Sequence, residues 1–365
     1  MAQSGGYGFG IVGLGMIAEF HARAIQAMDG GHLVCGYSRS GGEKADAFAK
    51  TFGVKVYNDY EEFLNAPGLD IVTIATPSGA HLEPVLAAAK HKKHVVCEKP
   101  LEVTLERCDA MIAACKKAKV KLGGIFPSRT NEAAQTIKNA ATAGRFGKFT
   151  VCNAIIPWWR TQQYYDSGGW RGTWELDGGG ALMNQSIHTI DLLQWIAGPV
   201  KEVSSYASCL AHKRIAVEDA AVGALRFKSG AVGAIIGSTA MFPGHGAELQ
   251  ISGEKGSAWL RGGHLVAWQF DQEDPGDAAI RVKFGPPAED KGKGGAGDPR
   301  AISFVGHQKQ FENFARCIGG KETLLVDGAE SRKAVELVLA VYQGALTRKP
   351  AALPLKKTPK RGKFK

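Results

Sequence analysis

Three sets of residues in this chain have types and spacings that could do chemistry. The first is Gly13-Leu14-Gly15-Met16-Ile17-Ala18, a G-x-G-x-x-A turn. Its first glycine permits a tight turn, its second lets the backbone approach a pyrophosphate, and the small last residue lets the following helix pack closely on the preceding strand. With phosphates at the helix N-terminus, Gly13, Gly15, Met16 and Ile17 are the expected contacts of a dinucleotide. The second is Lys99, between Glu98 and Pro100. A proline restricts the residue before it and can take a cis bond that fixes side-chain direction. A lysine so held can hydrogen-bond an alcohol oxygen and stabilise the negative charge that develops as hydride departs. The third is Asn184, His188 and Asp191. Spacings of four and three place them on one face of a helix that otherwise carries Leu182, Ile187, Ile190, Leu192, Leu193 and Trp195. His188 has the intrinsic pKa of a proton acceptor. Asparagine is a poor zinc ligand and no cysteine is near, so no metal is expected.

The residues after the second strand bear on which cofactor binds. An acidic residue there would hydrogen-bond the ribose of NAD and repel a 2′-phosphate. The chain has Tyr37-Ser38-Arg39-Ser40 instead, so Ser38 and Arg39 favour NADP over NAD; a plain surface arginine is the competing reading. Aromatic and guanidinium side chains then cluster in Trp158-Trp159-Arg160, Tyr164-Tyr165-Asp166 and Gly169-Trp170-Arg171-Gly172-Thr173-Trp174. Flat rings stack on the C–H faces of sugars, and arginine forks suit hydroxyl pairs, carboxylates or phosphates. Arg160, Trp170 and Arg171 are the expected substrate contacts, with the remaining tryptophans divided between pocket and sheet face. His307 and Gln310 are lesser candidates for the domain cleft.

These groups need elements to position them. The first third of the chain alternates apolar runs with helical stretches: strands at 9–12, 32–37, 71–75, 94–97 and 121–126, helices at 16–27, 43–52, 81–91 and 104–119. That alternation implies a parallel α/β sheet of right-handed crossovers, a Rossmann-type domain over residues 1–125. Beyond it, a helix near 131–143 precedes runs at 148–156, 200–208, 220–227, 231–238, 247–252 and 257–261, joined by turns such as Lys228-Ser229-Gly230. This reads as an α+β domain over 126–350 with a large, mostly antiparallel open sheet, closed by helices at 307–318 and 329–346. The Gly- and Pro-rich stretch 271–300 is expected to be a long surface excursion. An antiparallel sheet with one uncovered face usually meets a partner, so a homodimer or homotetramer is expected.

Charge and composition exclude other classes. Six of the ten net positive charges lie at Lys356, Lys357, Lys360, Arg361, Lys363 and Lys365, leaving +4 for the rest of the chain. Residues 351–365 therefore read as a basic flexible tail, without the interleaved aromatics or amphipathic period of a nucleic-acid or membrane segment. Met1 to Tyr7 lacks a signal-peptide pattern and no apolar run could span a bilayer. Seven scattered cysteines with no Cys-x-x-Cys pair suit reduced thiols in the cytoplasm.

His94-Val95-Val96-Cys97-Glu98-Lys99-Pro100-Leu101 resembles the Glu-Lys-Pro signature of the glucose–fructose oxidoreductase/inositol dehydrogenase/rhizopine catabolism family. Ala75-Thr76-Pro77-Ser78 with His81, and Gly178-Gly179-Gly180-Ala181-Leu182-Met183-Asn184 with His188 and Asp191, resemble further segments of it. The resemblance runs from about residue 7 to 348. It implies Thr76, Pro77, His81, Glu98 and Lys99 beside the cofactor, and Lys99, His188 and Asn184 as the catalytic group acting on a carbohydrate. The reaction implied is reversible oxidation of a secondary sugar hydroxyl by NAD or NADP. Two other activities occur in the same family: glycoside cleavage through transient oxidation, and non-catalytic dinucleotide-bound sensing. Many members carry Asp where this chain has Asn184. Asparagine can orient an imidazole but cannot stabilise an imidazolium, which leaves Asp191 to orient His188 or shifts acid–base work to Lys99.

Overall fold

The computed structural model describes residues 6–287 and 303–364. It divides into two units, Met1–Pro127 with Ser303–Arg332, and Ser128–Ile302 with Lys333–Lys365. The stretch from Ser303 to Arg332, expected with the second domain, thus belongs to the first. Of the expected excursion, residues 288–300 lie outside the described residues.

The first unit runs β1 (Tyr7–Val12), α1 (Met16–Ala27), β2 (Gly31–Tyr37), α2 (Glu43–Phe52), β3 (Lys55–Tyr57), α3 (Tyr60–Leu64), β4 (Ile71–Ile74), α4 (Leu82–Lys90), β5 (His94–Cys97), α5 (Leu105–Ala118) and β6 (Leu122–Gly124). The strands form one six-stranded sheet in the order β3-β2-β1-β4-β5-β6, parallel at every pairing. Strands β1 and β4 are apolar and buried along nearly their whole length, as a sheet covered on both faces requires. On one face, α1 turns Ala18, Ala22, Ala24 and Ile25 inward. These small side chains let the helix lie close to Phe9, Ile11 and Ile71, and a helix spanning Val305–Ile318, α10 in chain order, adds Phe311 and Phe314 to the same core. Phe9 and Phe311 meet edge to face at 5.5 Å. The short β3 and α3 lie in a polar, tyrosine-rich stretch that shows no clear period.

The second unit contains α6 (Glu132–Thr142), β7 (Phe149–Pro157), α7 (Gln162–Asp166), a π-helical segment (Ala181–Ser186) continuing as α8 (Ile187–Ala197), β8 (Val200–Ser208), β9 (Ala220–Phe227), β10 (Val232–Ser238), β11 (Glu248–Gly253), β12 (Gly256–Arg261), β13 (His264–Phe270) and α9 (Asp277–Phe284). The helix Gly328–Thr347, α11, and the short β14 (Ala351–Ala352) end the chain's regular structure. The eight-stranded sheet has the order β13-β12-β11-β7-β10-β9-β8-β14. Only β7 with β10 is parallel; the other pairings are antiparallel. Strand β9 alternates strictly between buried and non-buried positions, so one face is packed and the other carries Tyr206, Val222, Val232, Val151 and Trp259 exposed. Among the described residues no helix is long and apolar enough to cross a membrane.

The described part of the excursion and the tail are both anchored. Within 271–287, Asp277 is buried, accepts two bonds from the Arg145 guanidinium at 2.8 Å each, and takes the Trp268 indole N–H; these bonds allow a helix in a polar stretch. Residues 351–364, expected as a flexible tail, are likewise tied down. β14 pairs with β8, the Leu355 amide donates to Glu336, and the Phe364 ring packs 5.4 Å from both Trp174 and Tyr342. The tail's apolar residues alternate with its cations, so the chain docks while Lys356, Lys357, Lys360 and Arg361 stay exposed.

The Arg145 guanidinium holds the Asp277 carboxyl well below the usual carboxylate range, against the cost of burial. A depressed carboxyl stabilises fully above its unfolded value of about 4 and loses that contribution as pH falls. Asp277→Ala is expected to lower unfolding free energy by about 3 kcal/mol at neutral pH and by less in acid, as measured by urea denaturation. A loss independent of pH would show that the pair contributes by packing alone.

Candidate active site

In the first unit, β1 leads into Gly13, whose φ of +88° is reached most easily by glycine. A Cβ there would lie 2.9 Å from the Thr76 methyl and 3.0 Å from the Ala75 backbone. A Cβ on Gly15 would meet nothing within 4 Å. Gly15 is the N-cap of α1, and no side chain caps the helix. A helix N-terminus without a side-chain cap, with space beside its N-cap glycine, suits an incoming pyrophosphate. Met16 is exposed and Ala18 fully buried.

At the same carboxyl edge, β2 ends at Tyr37 and is followed by Ser38 and the exposed Arg39. Lys99 stands two residues beyond β5, partly buried, in a cis peptide bond with Pro100. Two expected cofactor contacts lie deeper. His81 is 1% exposed; one ring nitrogen is 3.0 Å from the Thr76 carbonyl and the other 3.1 and 3.2 Å from those of Pro100 and Leu101. It stitches the Thr76–Pro77 turn to the Lys99–Pro100 segment. Glu98 is also buried, its carboxylate facing His21, His307 and the Lys99 amide. These three side chains are the ligand-type group that converges among the described residues. His307, expected in a cleft, is part of that interior group, and Gln310 beside it donates to the Gly124 carbonyl. His21 went unnoticed in the sequence; the available signal was a histidine on the Ala/Ile face of α1.

In the second unit, glycines at 178–180 bring the chain tightly into the π-helical segment. A Cβ on Gly179 would lie 2.1 Å from the Tyr342 hydroxyl, and one on Gly180 would lie 1.7 Å from the Glu218 carbonyl. The Glu218 carboxylate accepts the amides of Gly180 and Leu182 and the Tyr342 hydroxyl, at 2.8 to 2.9 Å. This cap starts the segment that carries Asn184 and leads to His188. The regular α-helical face expected for 184, 188 and 191 is therefore replaced by a π turn running into α8, a geometry frequent at functional sites. Asn184 and His188 are partly buried, whereas Asp191 is 2% exposed. Both Asp191 oxygens are bonded by Arg129, at 2.8 and 2.7 Å. Its carboxylate is committed to an internal ion pair.

A carboxylate does reach Asn184, from a residue that was overlooked. The Asn184 amide donates to Asp177 at 2.5 Å, and its oxygen accepts from Gln185 at 2.7 Å. Gln185 also donates to the Tyr164 hydroxyl and accepts from Arg160. Cations and rings alternate from there: Arg160 lies 5.0 Å from the Trp158 ring and 5.6 Å from Tyr164, and Arg171 lies 4.7 Å from both Tyr164 and Trp170. Asn184, Arg160, Arg171 and Trp170 are thus joined through Gln185 and Tyr164. Trp159 packs on Phe242 and Trp174 on Tyr342, dividing the tryptophans between this array and the fold.

Residues 7–125 match the oxidoreductase family with an NAD-binding Rossmann fold, and residues 134–259 match the GFO/IDH/MocA C-terminal domain. The chain belongs to the GFO/IDH/MocA family of oxidoreductases. It is 33% identical to myo-inositol 2-dehydrogenase of Thermotoga maritima over 68% of this chain and 73% of that one. It is 32% identical to 1,5-anhydro-D-fructose reductase of Ensifer adhaerens over 61% and 67%. The WlbA dehydrogenase of Bordetella pertussis, solved with NADH and UDP-GlcNAcA, superposes with a TM-score of 0.86 at 32% identity over 96% of this chain and 98% of that one. The first unit of this GFO/IDH/MocA protein is accordingly an NAD-binding domain.

Burial raises the Glu218 carboxyl to about 7 despite its three donors. A folded-state value above the unfolded one stabilises most below pH about 4 and is lost as pH rises through 7. The loss is on the order of 3 kcal/mol. Glu218→Gln is expected to flatten the fall in unfolding free energy between about pH 5 and 8. An unchanged slope in urea denaturation would show that Glu218 does not titrate there.

Proposed function

We propose that this protein oxidises a secondary hydroxyl of an anionic sugar derivative, of the sugar-nucleotide uronic acid class, with hydride passing to a nicotinamide dinucleotide. One observation carries the reading. Parallel pairing of β1, β4 and β5 brings Gly13, Gly15 and Lys99 to one edge of one sheet, the edge where open α/β sheets bind ligands. Gly13, Gly15, Met16 and Ile17 would hold the pyrophosphate of a bound dinucleotide, with the Thr76–Pro77 turn, backed by His81, beside it. The bound nicotinamide supplies the hydride acceptor. Lys99 donates a hydrogen bond to the alcohol oxygen as the carbonyl forms, and His188 takes the hydroxyl proton. Asn184, fixed by Asp177 and Gln185, orients a substrate hydroxyl, and Asp191 anchors α8 through Arg129.

Arg160 and Arg171, each within 4.7 to 5.6 Å of aromatic rings of the second unit, support an anionic substrate, because guanidinium forks match carboxylates and phosphates. The likeness to the dehydrogenase solved with UDP-GlcNAcA supports the same class. Seven unpaired cysteines fit action in the cytoplasm, and the exposed apolar sheet face fits a homo-oligomer. Arg39 at the end of β2 favours NADP; NAD is the established part of the choice.

The test is turnover of the purified protein on NAD and NADP with a panel of nucleotide-linked uronic acids, neutral hexoses and inositols. One reduced cofactor per oxidised nucleotide-linked acid, and weak activity on neutral sugars, is the expected result. Cleaved product without net cofactor reduction would establish the glycoside-cleaving activity instead. Arg39→Ala is expected to weaken NADP about tenfold or more while leaving NAD unchanged; equal effects on both would remove the NADP preference.

A further inference from the structure

We infer that His21, Glu98 and His307 form a buried positioning device that links the cofactor helix α1 to the backbone of Lys99. The inference rests on the role proposed above for that lysine. His21 is fully buried in α1, with one ring nitrogen 2.9 Å from the Thr73 hydroxyl of β4 and the other 2.9 Å from Glu98 Oε1. His307 of α10 points its Nε2 at the same oxygen, at 3.4 Å. The second oxygen, Oε2, accepts the Lys99 amide at 3.0 Å. One carboxylate therefore receives two helices on one side and the lysine's own backbone on the other.

The charges fit this arrangement. Burial lowers the His21 pKa, which keeps the ring neutral and able to donate one N–H. Burial opposes the charge on Glu98, but hydrogen bonds from His21 and His307 outweigh it and hold the carboxyl well below its usual range. An ionised carboxylate facing two imidazoles is a charge-assisted network, in which the His21 bond at 2.9 Å is the short member and the His307 contact at 3.4 Å the long one. The rings are packed as well: His21 lies 5.3 Å from both His307 and Phe311, and Phe20 lies 6.5 Å from His307. A residue cannot shift freely when its amide is tied to a group so held. The same α1 begins at its N-cap Gly15, in the glycine turn proposed to take the pyrophosphate, so cofactor helix and lysine share one rigid support. The three side chains are spaced so that they could also ligate a cation. However, the His21–Glu98 separation is that of a hydrogen bond, and a cation would have to displace both imidazole protons.

The test is a comparison of His307→Leu, which removes one donor, with His307→Gln, which keeps an amide donor. His307 is the safer target, because its Nδ1 has no hydrogen-bond partner among the described residues and its loss breaks one contact of the network. Both variants are first checked for a wild-type circular-dichroism spectrum and cooperative melting. His307→Leu is expected to lower kcat about tenfold or more, with KM for NAD within about twofold, and His307→Gln to restore most of it. Glu98→Gln should lose more, again in kcat. Loss shared equally between kcat and KM, or no rescue by glutamine, would reduce the cluster to ordinary packing. Wild-type kcat in His307→Leu and Glu98→Gln would refute the linkage while leaving the proposed reaction intact; an inactive wild-type protein would refute the reaction itself. Activity lost on chelation and restored by zinc would replace the hydrogen-bonded account with a metal-bound one.

Discussion

Parallel strand pairing is the constraint on which the rest of the first unit depends. In the order β3-β2-β1-β4-β5-β6 every strand delivers its C-terminal residue to the same edge, and each crossover must return over a face. The residues that follow β1, β2, β4 and β5, namely Gly13, Ser38, Thr76 and Lys99, are neighbours for that reason, although 86 positions separate the first from the last. Helices α1 and α10 cover one face with Ala, Ile and Phe side chains, each worth roughly 1.5–3 kcal/mol for a large buried group. The sheet is thereby rigid where a hydride-transfer site needs sub-ångström placement.

The second unit uses a different device. Asn184 lies on a π turn, started by glycines and capped by a buried glutamate, that runs into α8 and its His188. Breaking a buried ion pair such as Arg129–Asp191 typically costs 3–5 kcal/mol, so α8 is held firmly beyond that turn. The Arg160–Tyr164–Arg171–Trp170 array holds its guanidinium groups within 4.7 to 5.6 Å of ring centroids. Side chains so ordered lose little further entropy when they meet an anion.

Much of this was legible in the residues. The G-x-G-x-x-A turn, the strand–helix alternation and the apolar run at 71–75 lead directly to the parallel sheet, because period and spacing are local properties. Short runs joined by turns such as Lys228-Ser229-Gly230 likewise pointed to the antiparallel sheet. β13 was missed although Gly262 and Gly263 mark its hairpin turn with φ of +57° and +93°. Other features depend on partners distant in sequence. The spacing of 184, 188 and 191 indicates a common face, but it does not show that Arg129 takes Asp191 or that Asp177 supplies the carboxylate at Asn184. Nothing near Glu98 in sequence announces His21, 77 positions away. The tail was misread for a similar reason: its charge is evident, but the docking of Phe364 on Trp174 and Tyr342 is a tertiary fact.

The claim at the centre of this account is that Lys99 serves the reacting oxygen while others hold the cofactor. It is tested most directly by isotope transfer in a single turnover. A substrate deuterated at the carbinol carbon is mixed with excess wild-type or Lys99→Met protein loaded with oxidised cofactor. The account predicts deuterium at the nicotinamide in the wild type, and in Lys99→Met a transfer slower by about a hundredfold or more at unchanged cofactor affinity. Transfer at the wild-type rate in Lys99→Met would contradict it.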